Sequence, residues 1–391
     1  MILPHAFNAH VQPPVWDWIS LYQEHSPADA REWDFVMGIQ SSFTVDFLQQ
    51  VIAAKLRFYG IKSPHVHAGG FNQFRQDLMR PESDYYRMKP RATALILDPI
   101  NVSRSLETGD LNKIVETHVA VLPESMLVIS NAFLSSEYPV HVHELNGKIH
   151  ALARECPQVR ILDMESWVAR WGSNRVVDPK HEFLAGLMIS PEMTPFLAEE
   201  ILAFLYESMG LRKKCLALDL DDTLWGGIVG EEGLAGIQLD VQPPGNVYRA
   251  VQAAALAFQK KGVLLAVASK NNPNDAMEVI NRHTHMILRK EHFAAIEIGW
   301  QPKDQMLLSI AAKLNIGADS IVFLDDNPNE RELVRAMLPG VTVLDPPVDV
   351  AWWPRYIAGL RCFEASVLTE EDKKRTRMYA EEEMRKGIQS S

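Results

Sequence analysis

Short apolar runs alternate with helix-like stretches twice along this chain, and that rhythm restricts the fold more than any other feature. An apolar run bounded by turn residues reads as a strand buried on both faces. A stretch of 3.6-residue periodicity reads as a helix with one face to cover it. Their alternation implies a parallel sheet with helices packed against it, an α/β architecture. In the first series, "DFVMGIQ" (34–40) reads as a strand and 44–58 as an amphipathic helix. "ATALILD" (92–98) and "MLVIS" (126–130) are buried strands with a helix through 108–120 between them. "HELNGKIHALAREC" is a helix, "VRILD" (159–163) a strand, and "TPFLAEEILAFLYESMG" a closing helix that ends at Gly210.

The pattern then restarts. "CLALDLD" and "VLLAVASK" are strands around a helix at 247–260 that ends at Gly262. Helices follow at 274–282 and 303–314, then the strand "SIVFLDD", a helix at 329–337 and the strand "VTVLD". A chain of 391 residues is long for one domain. The basic "LRKK" (211–214) separates the two series, so the expected domains are 1–210 and 211–391. The charged tail "LTEEDKKRTRMYAEEEMRK" reads as a solvated helix.

The hydrophobic fraction of 47% and charged fraction of 23% are those of a soluble globular protein. A net charge of −11 offers no global field for nucleic acid or an anionic membrane. Three scattered cysteines, Cys156, Cys215 and Cys362, fit neither a disulfide framework nor a zinc site and suit a reducing cytoplasm. "MILPHAFNAHVQPPVWDW" lacks the basic and apolar regions of a secretory signal, and no apolar run approaches the ~20 residues of a membrane span. The expectation is a cytoplasmic protein.

"KCLALDLDDTLWGGIVGEEG" (214–233) crowds three aspartates into four positions behind a buried strand. Ligands of parallel sheets bind beyond the carboxyl ends of the strands. Strand ends in this half carry Asp219, Asp221, Asp222 and Thr223, then Ser269, Lys270 and Asn271, then Asp325 and Asp326, while Lys303 opens a helix. Clustered carboxylates repel and resist desolvation, so they call for a cation, and hard oxygen donors suit Mg²⁺, which also binds phosphate. Lys303 and the Ser269 hydroxyl can hold phosphate oxygens. One carboxylate can attack phosphorus, and another two residues on can protonate a leaving alkoxide and later activate water. A Mg²⁺-dependent phosphoryl-transfer site is the reading.

DxDxT, a strand-end serine, a lysine and a paired DD, in that order, resemble the four motifs of the haloacid dehalogenase (HAD) superfamily. The resemblance implies a Rossmann-like HAD domain with Asp219 as nucleophile, Asp221 as acid/base and Thr223 supporting the loop. Ser269 and Lys303 then bind phosphate. Asp219, the Asp221 carbonyl and Asp326 hold Mg²⁺, with Asp325 mostly behind them. "DLDDTLWGGIVGEEGLAGIQL" reads as a glycine-rich hairpin, the small (C0-type) flap of that superfamily, with no room for a large cap. The site should be open, which suits a bulky or protein-borne substrate.

"KCLALDLDDTLWGGIVGEEG", "VASKNN", "WQPK", "IVFLDDNPNERELV" and "FEASVLTEEDKKRTRMY" together look like the FkbH-like family, and "SSFTVDFLQQVI" and "GGFNQFRQDL" extend the likeness over nearly the whole chain. Asp222 departs from the asparagine that family leads one to expect. With no acyltransferase domain seen after the tail, the expectation is a stand-alone, complete version. The resemblance implies loading of D-glyceryl from 1,3-bisphosphoglycerate onto the phosphopantetheine thiol of an acyl carrier protein in polyketide biosynthesis. Two other readings stay open: a small-molecule or sugar phosphatase, and a non-catalytic module that docks a carrier domain.

The FkbH-like family is thought to pass through a cysteinyl thioester, and Cys215 is the candidate by position. Four residues of strand put it ~13 Å from the Asp219 rim, which favours a buried apolar role. In the first domain Ser42 follows the first strand, Gly70 the second and Asn131 a later one, and Asp178-Pro-Lys-His181 precedes the closing helix. That order resembles the SGNH hydrolases, implying a flavodoxin-like three-layer sandwich with Ser42, Asp178 and His181 as a triad and Gly70 and Asn131 near an oxyanion. The usual GDS sequence is missing, and a degenerate relative remains the alternative. His141 and His143 lack an evident third metal ligand, and Trp16, Trp18, Trp352 and Trp353 read as packing residues. "LRKK" and "ILRKEH" are solvated faces or docking sites for an acidic helix.

Overall fold

The computed structural model describes residues 12–24, 33–98, 108–132 and 139–364; the charged C-terminal tail and the N-terminal segment lie outside them. The described residues form two compact units, Gln12–Leu205 and Tyr206–Glu364. Each carries a five-stranded sheet whose strands pair in parallel.

The first sheet comprises β1 (Phe35–Ser41), β2 (Pro64–Ala68), β3 (Ala92–Ile96), β4 (Met126–Ser130) and β5 (Val159–Leu162), in the order β2-β1-β3-β4-β5. Helices Thr108–Val121 and Pro139–Glu155 cover one face, setting Leu111, Ile114, Val142 and Ile149 against Leu95, Leu127 and Ile129. Helix Asp46–Phe58 buries Val51, Ile52 and Leu56, and with them Lys55. The Lys55 ammonium lies 3.0 Å from Glu199 on helix Thr194–Ala203 and 4.4 Å from the Trp18 ring centroid. A charge this deep is tolerated only when paired. The expected closing helix stops at Ala203, not Gly210. Phe204 and Leu205 bond back three residues, to Ile201 and Leu202, so the segment tightens into turns before Gly210 takes a φ of 70°.

The second sheet comprises β6 (Cys215–Leu218), β7 (Leu264–Lys270), β8 (Phe293–Gly299), β9 (Ile321–Leu324) and β10 (Thr342–Val343), in the order β10-β9-β6-β7-β8. Strand alternation sorts its side chains onto two faces. Leu216, Leu218, Leu265, Val267, Val322 and Leu324 meet Val251, Ala255, Val279 and Ile280 of helices Gly245–Lys260 and Pro273–Arg282. Cys215, Ala217, Leu264, Ala266, Ile321 and Phe323 meet Leu307, Ile310 and Val334 of helices Lys303–Lys313 and Pro328–Met337. The order of strands reverses between β6 and β9, and there the connections leave toward opposite faces and open a crevice.

Two local expectations change. Strand β8 has no counterpart in the sequence reading, because Glu297 interrupts its apolar run; the carboxylate is held by Lys313 at 2.8 Å and Ser309 at 2.5 Å. The glycine-rich hairpin is a single antiparallel bridge, Gly226 to Gln238, spanned by a short helix, Val229–Gly236, kinked where Gly233 takes a φ of 67°. Among the described residues no helix is long and apolar enough to cross a membrane.

Gln252 ties three segments of this unit together. Its amide donates to Leu224 O at 2.7 Å and accepts from the Ile287 and Leu288 amides at 2.7 and 3.0 Å, all from a fully buried position. Gln252→Ala is expected to lower the unfolding free energy of this unit by about 2–4 kcal/mol, because it orphans three backbone groups. Denaturant titration of the two proteins reads the difference, and superimposable curves would contradict it.

Candidate active site

The site grows out of the strand reversal. Leu218 of β6 pairs with Leu324 of β9, so the next residues, Asp219 and Asp325, leave the sheet side by side, with the Asp219 amide donating to Leu324 O at 3.0 Å. Between their carboxylates stands Lys303, the first residue of its helix and buried. Its ammonium is 2.7 Å from Asp219 Oδ1 and 2.8 Å from Asp325 Oδ2, and donates to Ala268 O at 2.9 Å. Burial pulls the Lys303 pKa down, but the two carboxylates outweigh it and hold the group above its ordinary value. It is a permanent cation.

One cation does not balance the site. Oxygens of Asp219, Asp325 and Asp326 lie within 4.8 Å of one another. Burial pushes the Asp326 carboxyl up to about 7, reinforced by repulsion from Asp219, Asp325 and Asp222. Burial and Asp219 also raise Asp325, against the pull of Lys303. Asp219 Oδ1 is buried, with the Lys303 ammonium 2.7 Å away. Crowded hard-oxygen donors with lone pairs to spare fit a small divalent cation. Asp325 is the most committed of the three, accepting from Lys303 and, at 2.8 Å, from the Asn327 amide.

Asp221 faces a different set of neighbours. Its Oδ1 accepts from Trp225 Nε1 at 2.8 Å and Val229 N at 3.2 Å, and its Oδ2 from Asn271 Nδ2 at 2.8 Å. Burial raises its pKa, the Val229 and Trp225 donors oppose that, and Asp219 and Asp222 add to it; the net shift is upward. Such a carboxyl can carry a proton. Asp222 takes a φ of 50°, and its side chain accepts the Gly227 amide at 2.7 Å. An asparagine oxygen would serve equally, which accounts for the departure noted in the sequence. Thr223 holds the loop through its amide, bonded to Leu220 O at 3.1 Å, while among the described residues its buried hydroxyl has no partner.

The remaining expected ligand-binding residues divide. Ser269 is buried at the end of β7, and among the described residues its hydroxyl makes no hydrogen bond, which leaves it for a ligand. Lys270 is instead bound to Glu330 at 2.6 Å. Asn271 orients Asp221 rather than standing free. Cys215 does not share the rim. It lies at the far end of β6, fully buried beside Ala217 and Leu264, and burial pushes its thiol up.

No protein-family model matches the sequence, and no curated protein matches it. A solved structure does. It is the N-terminal part of a Bacteroides fragilis protein, containing a phosphatase domain and complexed with Mg. The two are 25% identical with a TM-score of 0.79, over 91% of this chain and 100% of that one. The lipase/acylhydrolase from Enterococcus faecalis also matches, at 11% identity over 44% of this chain and 96% of that one, but its TM-score of 0.37 is too loose to bear on chemistry.

In the first unit, His181 Nδ1 and Asp178 Oδ2 are 2.7 Å apart, and the Lys180 amide and His181 hold Asp178 below its ordinary pKa. Ser42 is buried and accepts the Asp98 amide at 2.7 Å; among the described residues no hydrogen bond joins it to His181. Asn131 is spent on Asp163 at 3.0 Å and the Glu165 amide at 3.2 Å. A Cβ at Gly70 would meet the flexible end of the exposed Gln73 side chain at 2.6 Å, a contact that side chain can relieve by moving. His141 and His143 are exposed on helix Pro139–Glu155. Trp18 and Trp353 are buried, whereas Trp16 and Trp352 are exposed, contrary to a packing role for all four. Arg289 caps backbone carbonyls of Ile280 and His283 at 3.0 and 2.9 Å, so "ILRKEH" is only partly a free basic face.

A carboxyl raised to about 7 holds its proton in the folded state between the unfolded value near 4 and 7, so its stabilising contribution is lost as pH rises through 7. Without divalent ions, Asp326→Asn is therefore expected to raise the melting temperature at pH 8, and the gain to shrink toward pH 5. A melting difference constant across that range would rule out the charge repulsion.

Proposed function

We propose that the second unit is a Mg²⁺-dependent phosphatase and phosphotransfer centre of the HAD type, and that the protein loads glyceryl onto a carrier. The observation that carries the catalytic part is the convergence of Asp219, Lys303, Asp325 and Asp326 at the strand reversal. Likeness to a phosphatase-domain protein complexed with Mg supports it. The substrate rests on the FkbH-like motifs: 1,3-bisphosphoglycerate as donor and the phosphopantetheine thiol of an acyl carrier protein as acceptor.

Mg²⁺, held by Asp219, Asp326 and the Asp221 carbonyl with Asp325 behind them, would neutralise charge gathering on the phosphoryl oxygens. Lys303 and the Ser269 hydroxyl hold those oxygens from the other side. An Asp219 oxygen attacks the 3-phosphorus, the bond from phosphorus to the C3 oxygen breaks, and Asp221 gives that oxygen its proton. Asp221 then takes a proton from water as the water oxygen attacks phosphorus, and the bond to Asp219 breaks to release phosphate. Trp225, Val229 and Asn271 keep the acid aimed through both steps.

The acyl phosphate at C1 needs no protein nucleophile. The carrier thiolate attacks the carbonyl carbon, the bond to the phosphate oxygen breaks, and a thioester forms as phosphate departs. This route does not require the buried Cys215. A flap of one short helix is small enough to suit a substrate presented on a carrier-borne arm.

Intact-mass measurement of phosphopantetheinylated carrier, incubated with enzyme, Mg²⁺ and 1,3-bisphosphoglycerate, tests the substrate. A glyceryl gain is expected. Phosphate release with an unmodified carrier would identify a small-molecule phosphatase instead, and carrier binding without either product a docking module. Asp219→Asn is expected to slow phosphate release at least about 10³-fold, and excess chelator to abolish it. Wild-type release under either condition would overturn the mechanism.

A further inference from the structure

Beyond the expected site residues, one side chain grips the backbone of the paired aspartates. Arg331 lies in the first turns of helix Pro328–Met337, immediately after the Asp325-Asp326 loop. Its Nη1 donates to Asp325 O at 2.9 Å and to Asp326 O at 2.7 Å. Its Nε faces Asp345, just past β10, at 3.4 Å, and Asp345 also takes Arg335 Nη2 at 2.5 Å. The mostly buried guanidinium thus spans from the edge of the sheet to two successive carbonyls of the loop.

The other polar groups of that loop are also occupied. Asp325 binds Lys303 and the Asn327 amide, and the Asn327 side chain caps the helix through the Asn329 amide at 2.9 Å. The Asp326 carboxylate is the exception. Among the described residues no other residue donates to it, although repulsion from Asp219, Asp325 and Asp222 acts to drive it outward. Its place within 4.8 Å of Asp219 therefore depends on the backbone that carries it, and two charge-assisted bonds to the adjoining carbonyls are what immobilise that backbone.

We infer that Arg331, anchored by Asp345, is a positioning residue that holds Asp326 in place for the divalent ion. It acts from outside the ligand set, as groups behind metal ligands commonly do. A lysine has a single nitrogen and cannot bridge Asp345 and the carbonyls together. The inference rests on the proposal that Asp326 binds the ion.

Calorimetric titration of the full chain with Mg²⁺, in the absence of substrate, reads the effect directly. Arg331→Met is expected to weaken Mg²⁺ binding roughly 10- to 100-fold, and Arg331→Lys and Asp345→Asn by less. Phosphate release at saturating Mg²⁺ should stay near wild type, which separates lost ion binding from lost chemistry. Arg335→Gln, which touches Asp345 but not the loop, should lower the melting temperature and leave Mg²⁺ affinity unchanged. Unchanged affinity in Arg331→Met would overturn the inference; if that variant fails to fold, unchanged affinity in both Arg331→Lys and Asp345→Asn would do so. Should Asp326→Asn itself bind Mg²⁺ like wild type, the metal assignment fails instead.

Discussion

A single ammonium holds the second unit's rim together. Lys303 is drawn out of water into a space bounded by Asp219, Asp325 and the Ala268 carbonyl, and the cost of burying it is offset only because both carboxylates are there. The carboxylates in turn tolerate each other only because Lys303 stands between them. Strands β6, β7 and β9 meet around it: Asp219 and Asp325 directly follow β6 and β9, and Ala268 lies within β7. Each supplies one oxygen of the cage, and a shift of register in any of them would leave a buried charge unmatched.

The lysine still leaves the cluster short of positive charge, and that deficit is the link between fold and chemistry. Neutralising it by packing would stabilise the protein and close the site. Retaining it leaves the Asp326 carboxylate, among the described residues, with no donor from another residue. Asp221, two residues from Asp219, is surrounded by N–H donors instead and so acquires a different character. Two carboxylates on one short loop are thus differentiated by what their neighbours can donate.

The parallel α/β architecture of both units was legible because buried strands and amphipathic helices write different periods into the sequence. So were the groups that depend on strand ends, Asp219, Ser269 and Asp325-Asp326. What escaped was decided by tertiary partners. Strand β8 hid because Glu297 looks polar until Lys313 and Ser309 are beside it. Lys270 and Asn271 resembled ligand-binding groups until Glu330 and Asp221 claimed them. Trp225 and Arg331 carry no local signal of their role, since an indole or a guanidinium in a loop or helix reads as packing or solvated charge. In the first unit the strand order places Ser42 and Asp98 at the other reversal point, yet there the groups bond to each other.

The small flap has a mechanical consequence. Val229, which begins the flap helix, donates its amide to Asp221, and Gly227 just before it is held by Asp222. The flap and the Asp221 carboxyl are therefore fastened to one another. Moving the helix away would break the Val229 bond to Asp221, so a displacement of the flap reaches the carboxylate loop directly.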